Sequence, residues 1–465
     1  MIKDICLVMD RFVIVILSIS EITLPVIITS PMRNLAMTEP MALHRLSASD
    51  AARMIAEGSI TSEALVNSCL ERIELREPVV QAWAYLNPDL ALAQAHACDR
   101  KAPLGPLHGI PIGVKDIIET GDMPTEYGSA IYPDHRPVDD AACVARARAA
   151  GAVIIGKTVS TEFAYLSPAK TTNPHNPEHT PGGSSSGSAA AIGDFMVPLA
   201  LGTQTGGSTI RPAAYCGAFG FKPTYNRLPL TGIRPLSVSF DTVGLIARSV
   251  DDLVLLDAGL TGAAALETEA GQNRPPRIGY CKTPFWDETE ASTRRALADA
   301  VAAFAANGVA VEDVTLPKEI RELSEGHGLV MSVEAAFAFD HDYREHRGGL
   351  SEPLRRLIEA GRNVAADDVQ RFRRVQVMCA IAGDHLFDQY DAILTPTCPG
   401  EAEKGHAIGN NVFNRIWTAM HMPCLTIPSS TGPQGLPVGV QLVGRAGRDR
   451  ELLALARQVS DWLLA

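Results

Sequence analysis

The segment GGSSSGS at 182–188 constrains this chain more than any other, because it lies between stretches that read as buried structure. A Gly/Ser run on its own is usually a flexible linker. Here residues 189–192 follow at once as the start of a small-residue buried helix, and residues 197–201 follow as an apolar strand. The serines are therefore expected at a helix N-terminus, where free backbone N–H groups favour developing negative charge. One strand later comes GTQTGGS, 202–208, a tight turn whose paired glycines leave N–H groups able to point at a ligand. A third segment, GIPIGVKD, places Lys115 at the end of an apolar strand expected over 107–114. Taken singly, these are a solvated strand end, a linker and a turn. Their occurrence together points to chemistry.

Amide hydrolysis needs a nucleophile, a base and donors for the oxyanion. A serine hydroxyl attacks poorly until a neighbouring base takes its proton. No histidine stands in a defensible Ser-His-Asp spacing. A lysine can serve if burial disfavours its ammonium form, and the apolar run before Lys115 meets that condition. A second serine can relay the proton between lysine and nucleophile.

At 465 residues, with 46% hydrophobic and 20% charged residues, the chain has material for a large soluble core. The formal net charge of −12 argues against a phosphate-backbone partner, so no nucleic-acid contact is expected. Nine cysteines are scattered singly, without CxxC pairs or histidine clusters. They read as small buried hydrophobes in a reducing, cytoplasmic setting, with no metal or cofactor. Two apolar stretches near the start, 12–18 and 24–29, are too short to span a bilayer, and no membrane association is expected. Residues 1–40 read as an extra leader, disordered or loosely packed, with an export signal as the alternative.

Helices are expected over 47–57 (capped by Ser47), 61–75 (opened by Thr61), 89–100, 141–150, 288–306 and 451–464, and through most of 316–387. Further strands are expected at 153–155, 277–281, 309–314, 390–396 and 436–443. This alternation predicts one large α/β domain over 41–465, with a mixed, mostly parallel sheet covered by helices on both faces. Within it, 41–270 reads as the core, 271–420 as a part of different texture, and 421–465 as a return to the core.

These residues resemble the amidase signature family. The resemblance covers roughly 43–460 and rests on GPLHGIPIGVKD, TPGGSSSGSAAA, GTQTGGS, CGAFGFKPT, the DTVG turn at 241–244, YDAILTPT and GLPVGVQLVG. It implies a Ser-cisSer-Lys triad: Lys115 as general base, Ser184 as bridging serine after a cis peptide, and Ser208 as nucleophile. It also implies an oxyanion hole from the N–H groups of Thr205, Gly206, Gly207 and Ser208, with Ser185 in support. The variable part, 271–420, is expected to shape substrate choice. The product would be a carboxylate plus ammonia or an amine, as for an acylamide amidohydrolase acting on a small amide. A homodimer is allowed for.

The chain departs from the family pattern at three places. Gln204 stands where aspartate is common. Arg211 lies three residues after the nucleophile instead of two, and Gly244-Leu245 replaces Gly-Pro. Arg211 is expected either to bind a substrate carboxylate, as in malonamidase-like members, or to form an ion pair under the turn. His108 reads as structural. Two other functions stay open: the glutamine-hydrolysing subunit of a glutamyl-tRNA amidotransferase, and a catalytically silent binding protein on the same fold. Asn226, where the amidotransferase pattern has glycine, speaks against the first.

Overall fold

Helices begin where a side-chain oxygen can take a free N–H of the first turn. Ser47 accepts from the Asp50 N–H at 3.0 Å and opens Ala48–Ala56. Thr61 accepts from Ala64 at 3.1 Å and opens Ser62–Val80. Asn87 accepts from Leu90 at 3.1 Å and opens Pro88–Asp99. The second helix runs past the expected end at 75. Pro78 sits in its last turns, and the helix ends two residues later at Val80, followed by the left-handed cap Gln81.

The computed structural model describes residues 5–9, 12–16, 42–264 and 274–464. Residues Met1–Ala42 form one unit, in which Ile5–Met9 (β1) and Phe12–Ile16 (β2) pair antiparallel. The apolar stretch 24–29, like most of the expected leader, lies outside the described residues.

Leu43–Ala465 form the other unit, built on an 11-stranded sheet. Its strands are Trp83–Leu86 (β3), Pro111–Lys115 (β4), Val153–Thr158 (β5), Leu199–Gln204 (β6), Phe219–Lys222 (β7) and Thr242–Ala247 (β8). They continue with Ile278–Tyr280 (β9), Val311–Asp313 (β10), Ala392–Pro396 (β11), Cys424–Thr431 (β12) and Pro437–Val443 (β13). Across the sheet the order is β10-β9-β11-β13-β12-β7-β8-β6-β4-β5-β3.

The sheet is mixed, as expected, but parallel pairing is not in the majority. Only β10–β9, β9–β11, β4–β6 and β4–β5 are parallel. The correction has a topological reason. β6 and β7 are joined by the helix Ile210–Tyr215, and such a crossover predicts parallel neighbours. Here β8 is inserted between them, antiparallel to both. Strand–helix alternation gives relative direction along the chain and is silent about later insertions.

β4, β5, β6 and β8 are buried at every position, the pattern of strands covered on both faces. Helices pack along these strands, among them Ser186–Gly193 on β6 and Val250–Thr261 on β8. Among the described residues, no helix is long and apolar enough to cross a membrane.

Candidate active site

Lys115 is the last residue of β4, which lies between β5 and β6. A residue at the end of an interior strand has neighbours on both sides, and Lys115 is 0% exposed. Its Nζ donates to Ser184 Oγ at 2.7 Å and to Thr203 Oγ1 at 2.8 Å. Burial holds its pKa well below the ordinary lysine value, and the charge of Asp241 opposes this more weakly. No carboxylate among the described residues lies within ion-pair reach of it.

Two other buried lysines show what that difference means. Lys157, near the end of β5, faces Asp116 at 3.3 Å and Thr125, and its pKa falls to about 8. Lys222 donates to the Pro223 carbonyl at 2.8 Å. Of the three, Lys115 alone meets a serine hydroxyl.

Ser184 follows a cis peptide with Gly183, as the resemblance implied. Ser184 and Ser185 come immediately before the helix Ser186–Gly193, so the Gly/Ser run is a structured helix entry. Its glycine at 187 is required by close packing: a Cβ there would lie 2.2 Å from the Ala82 carbonyl oxygen and 2.3 Å from Val159 N. Ser185 is fully buried, and its hydroxyl donates to the Thr203 carbonyl at 3.2 Å and accepts from the Thr203 N–H at 3.2 Å. It thereby fixes the residue whose hydroxyl is the second partner of Lys115.

The expected turn at 202–207 begins later than predicted, because β6 runs through Gln204. Thr205, Gly206, Gly207 and Ser208 then form a loop with an asymmetric bonding pattern. All four carbonyls are occupied. His327 Nε2 meets the Thr205 carbonyl at 2.8 Å, and Thr418 Oγ1 donates to Gly206 at 2.9 Å. Arg211 N–H donates to Gly207 at 3.0 Å, and Ser185 N–H to Ser208 at 3.2 Å. Among the described residues, the four N–H groups donate to no protein acceptor. The last contact also ties the Ser208 main chain to the residue after Ser184, and Ser208 is 8% exposed.

The departure at Gln204 is accommodated within the turn. Its side-chain oxygen accepts from the Thr209 and Ile210 N–H groups at 2.9 and 3.0 Å, and its amide donates to Thr418 at 3.0 Å. Thr205 Oγ1 donates to Asp241 at 2.5 Å, while the other Asp241 oxygen accepts from Leu236 and Ser237 N–H groups. Burial raises the Asp241 pKa to about 6, against those hydrogen bonds.

Arg211 is 1% exposed, and its guanidinium donates to the Gly183 carbonyl at 2.5 Å. The expected ion pair under the turn is corrected: the partner is the carbonyl of the cis peptide, not a carboxylate. His108 bonds the Leu104 N–H and the Cys98 carbonyl, away from the serines, in keeping with its structural reading. Sequence reasoning missed Thr203, Asp241, His327, Asn414 and Thr418. Thr203 and Asp241 lie inside quoted motifs. Asn414 and Thr418, spaced i, i+4 on the helix Val412–Ala419, form a polar stripe that periodicity could have revealed. His327 sits mid-helix, with no local signal.

The sequence matches the family model described as Amidase over residues 64–453. It is 34% identical, over 92% of this chain and 98% of the relative, to a glutamyl-tRNA(Gln) amidotransferase subunit of Chloroflexus aurantiacus. An amidase crystal structure superposes with a TM-score of 0.83 at 30% identity, covering 90% of this chain and all of that one. The peptide amidase of Stenotrophomonas maltophilia gives a TM-score of 0.79 at 28% identity, covering 90% and 97%. A match of this extent, on a fold that brings the lysine, the Gly/Ser run and the paired glycines together, means that the chain belongs to the amidase family, whose members hydrolyse amide C–N bonds.

Proposed function

We propose that the enzyme cleaves a small amide through an acyl-enzyme on Ser208. One observation carries the mechanism: a fully buried Lys115 amine 2.7 Å from the hydroxyl of Ser184, its pKa lowered by burial. In the first step Ser208 Oγ attacks the amide carbonyl carbon. Its proton passes to Ser184 Oγ, and the Ser184 proton passes to Lys115 Nζ. The resulting oxyanion accepts from the free N–H groups of residues 205–208, which need no reorganisation because their carbonyls are already tied down. Collapse of this intermediate breaks the C–N bond, and the relay, run in reverse, protonates the leaving amine. Water then attacks the ester carbonyl with the same groups acting as base, which releases the carboxylate and restores Ser208.

Ser185 supports this arrangement through Thr203. Arg211 holds the Gly183 carbonyl and so positions the bridging serine. Residues 271–420 supply the surroundings that select the amide. Eight of the cysteines, Cys69 to Cys424, are free, which is in keeping with a reducing, cytoplasmic setting.

A panel of amides, run on the wild type and on Ser208→Ala, tests the reading, together with fluorophosphonate labelling followed by peptide mass mapping. The expected result is turnover of at least one small amide, abolished by Ser208→Ala, and a label on Ser208. A label elsewhere, or undiminished turnover in the variant, contradicts it. A second reading, the glutamine-hydrolysing subunit of a glutamyl-tRNA(Gln) amidotransferase, is favoured by the 34% identity to the Chloroflexus protein. Glutaminase activity that appears only on adding such an enzyme's other subunits would select it.

A further inference from the structure

Buried arginines in this protein have partners. Asp194 takes Arg72 and Arg76, Asp257 takes Arg227, and Asp342 takes Arg234. Arg248 and Arg211 donate to backbone carbonyls. Arg415 differs. It is half-buried, and among the described residues its guanidinium donates to no acceptor and pairs with no carboxylate. Its Nε is shut off from solvent with no partner, as are those of Arg211 and Arg234, but each of those two guanidinium groups has another acceptor. A guanidinium carries five donors and cannot shed its proton, so leaving it partly desolvated and unpaired costs free energy that a ligand could return.

Its position gives that ligand a location. Arg415 is on the helix Val412–Ala419, which caps the loop of free N–H groups. Asn411, at the start of this helix, packs against Gly206, where a Cβ would lie 2.4 Å from its Nδ2. Asn414 packs against Gly207, where a Cβ would lie 2.6 Å from its Oδ1. Thr418 bonds the Gly206 carbonyl. Arg415 is one turn after Asn411. Burial is the main cause of the lowered pKa values of Arg211 and His327, on the two flanks of the loop, and the charge of Arg415 adds to both. Among the described residues no carboxylate pairs with Arg415, and the more distant Glu403 acts on Arg211 in the opposite sense. Arg211 is already committed to the Gly183 carbonyl and almost wholly buried.

Resting on the amide-hydrolase reading above, we infer that Arg415 is the anion-recognising residue of this site and that the preferred substrates are small amides bearing a carboxylate. The guanidinium would take the carboxylate, in a bidentate pair, while the scissile carbonyl lies at the free N–H groups.

The test compares succinamate with butanamide, a neutral amide of the same chain length. The wild type should prefer succinamate, and Arg415→Met should lower the ratio of the two kcat/KM values about 10- to 100-fold, mainly through KM for succinamate. Arg415→Lys should retain part of the preference. Succinate binding to Ser208→Ala, measured by calorimetry, reads the subsite without turnover and should be lost when Arg415→Met is added. A melting temperature matching the parent's shows that each variant folds. A ratio within twofold of the wild type, with succinate still bound, overturns the inference. Failure of the wild type to cleave any amide of the wider panel, with succinate binding still dependent on Arg415, overturns only the hydrolase reading and leaves the anion site standing.

Discussion

On the proposed mechanism, catalysis turns on which of three buried lysines reaches a serine hydroxyl. Lys157 has Asp116 and Lys222 has a carbonyl, whereas Lys115 has two hydroxyls. An amine donating to hydroxyls in a buried site gains little stabilisation of its charge, so burial dominates and lowers its pKa. If lysine and bridging serine form one relay, their deletions are not additive. Lys115→Met should lower kcat by about 10³-fold or more, and Ser184→Ala by a smaller factor, about 10². The double variant should be no slower than Lys115→Met alone. Steady-state kinetics on all three checks this, and losses that multiply would contradict a shared relay. The three positions that the proposed relay uses could be picked out in the sequence because each lies in a motif whose residue types are dictated locally. Arg211 was visible too, but its partner was not, because a backbone carbonyl 28 residues away leaves no mark on composition or spacing.

At the scale of elements, the nucleophile loop is held from outside. Helix Ile320–Ala338 delivers His327 to the Thr205 carbonyl, and helix Val412–Ala419 delivers Thr418 to that of Gly206. A carbonyl only accepts, so His327 carries its proton on Nε2. Burial lowers its pKa to about 4, from an ordinary value of 6.5. Because the folded pKa lies below the unfolded one, the unfolded state binds more protons between these values. Stability from this group is therefore complete above pH 6.5 and is lost as the pH falls towards 4, on the order of 3 kcal/mol in all. Urea unfolding at a series of pH values should show this loss in the wild type and a shallower one in His327→Gln, which keeps a donor. Equal slopes would contradict it. The element boundaries explain why this contact was hidden. The helices of 316–387 were predicted as helices, but nothing in their periodicity says which loop a given face will meet. The strands β3, β7, β8 and β12 were missed for a related reason. β3 and β7 have only four residues each, and β12 carries Pro428 and two serines in its second half, so apolar period carries little signal there.

The whole molecule supplies what neither residue nor element can: exclusion of water from the end of β4. Eleven strands, with an antiparallel block at the centre, bury Lys115 between neighbours that are themselves covered on both faces. Overall class was readable from strand–helix alternation. Strand order was not, since the insertion of β8 between β6 and β7 depends on long-range pairing. If the fold alone creates the base, its pKa must be a property of the native state. The decisive measurement is an NMR titration of protein labelled with ¹³C at lysine Cε, with the Lys115 signal assigned by its loss in Lys115→Met. The account predicts that this lysine titrates well below the ordinary value in the native protein and returns to about 10.4 in guanidinium chloride. A Lys115 that stays charged up to pH 10 in the folded enzyme would contradict it.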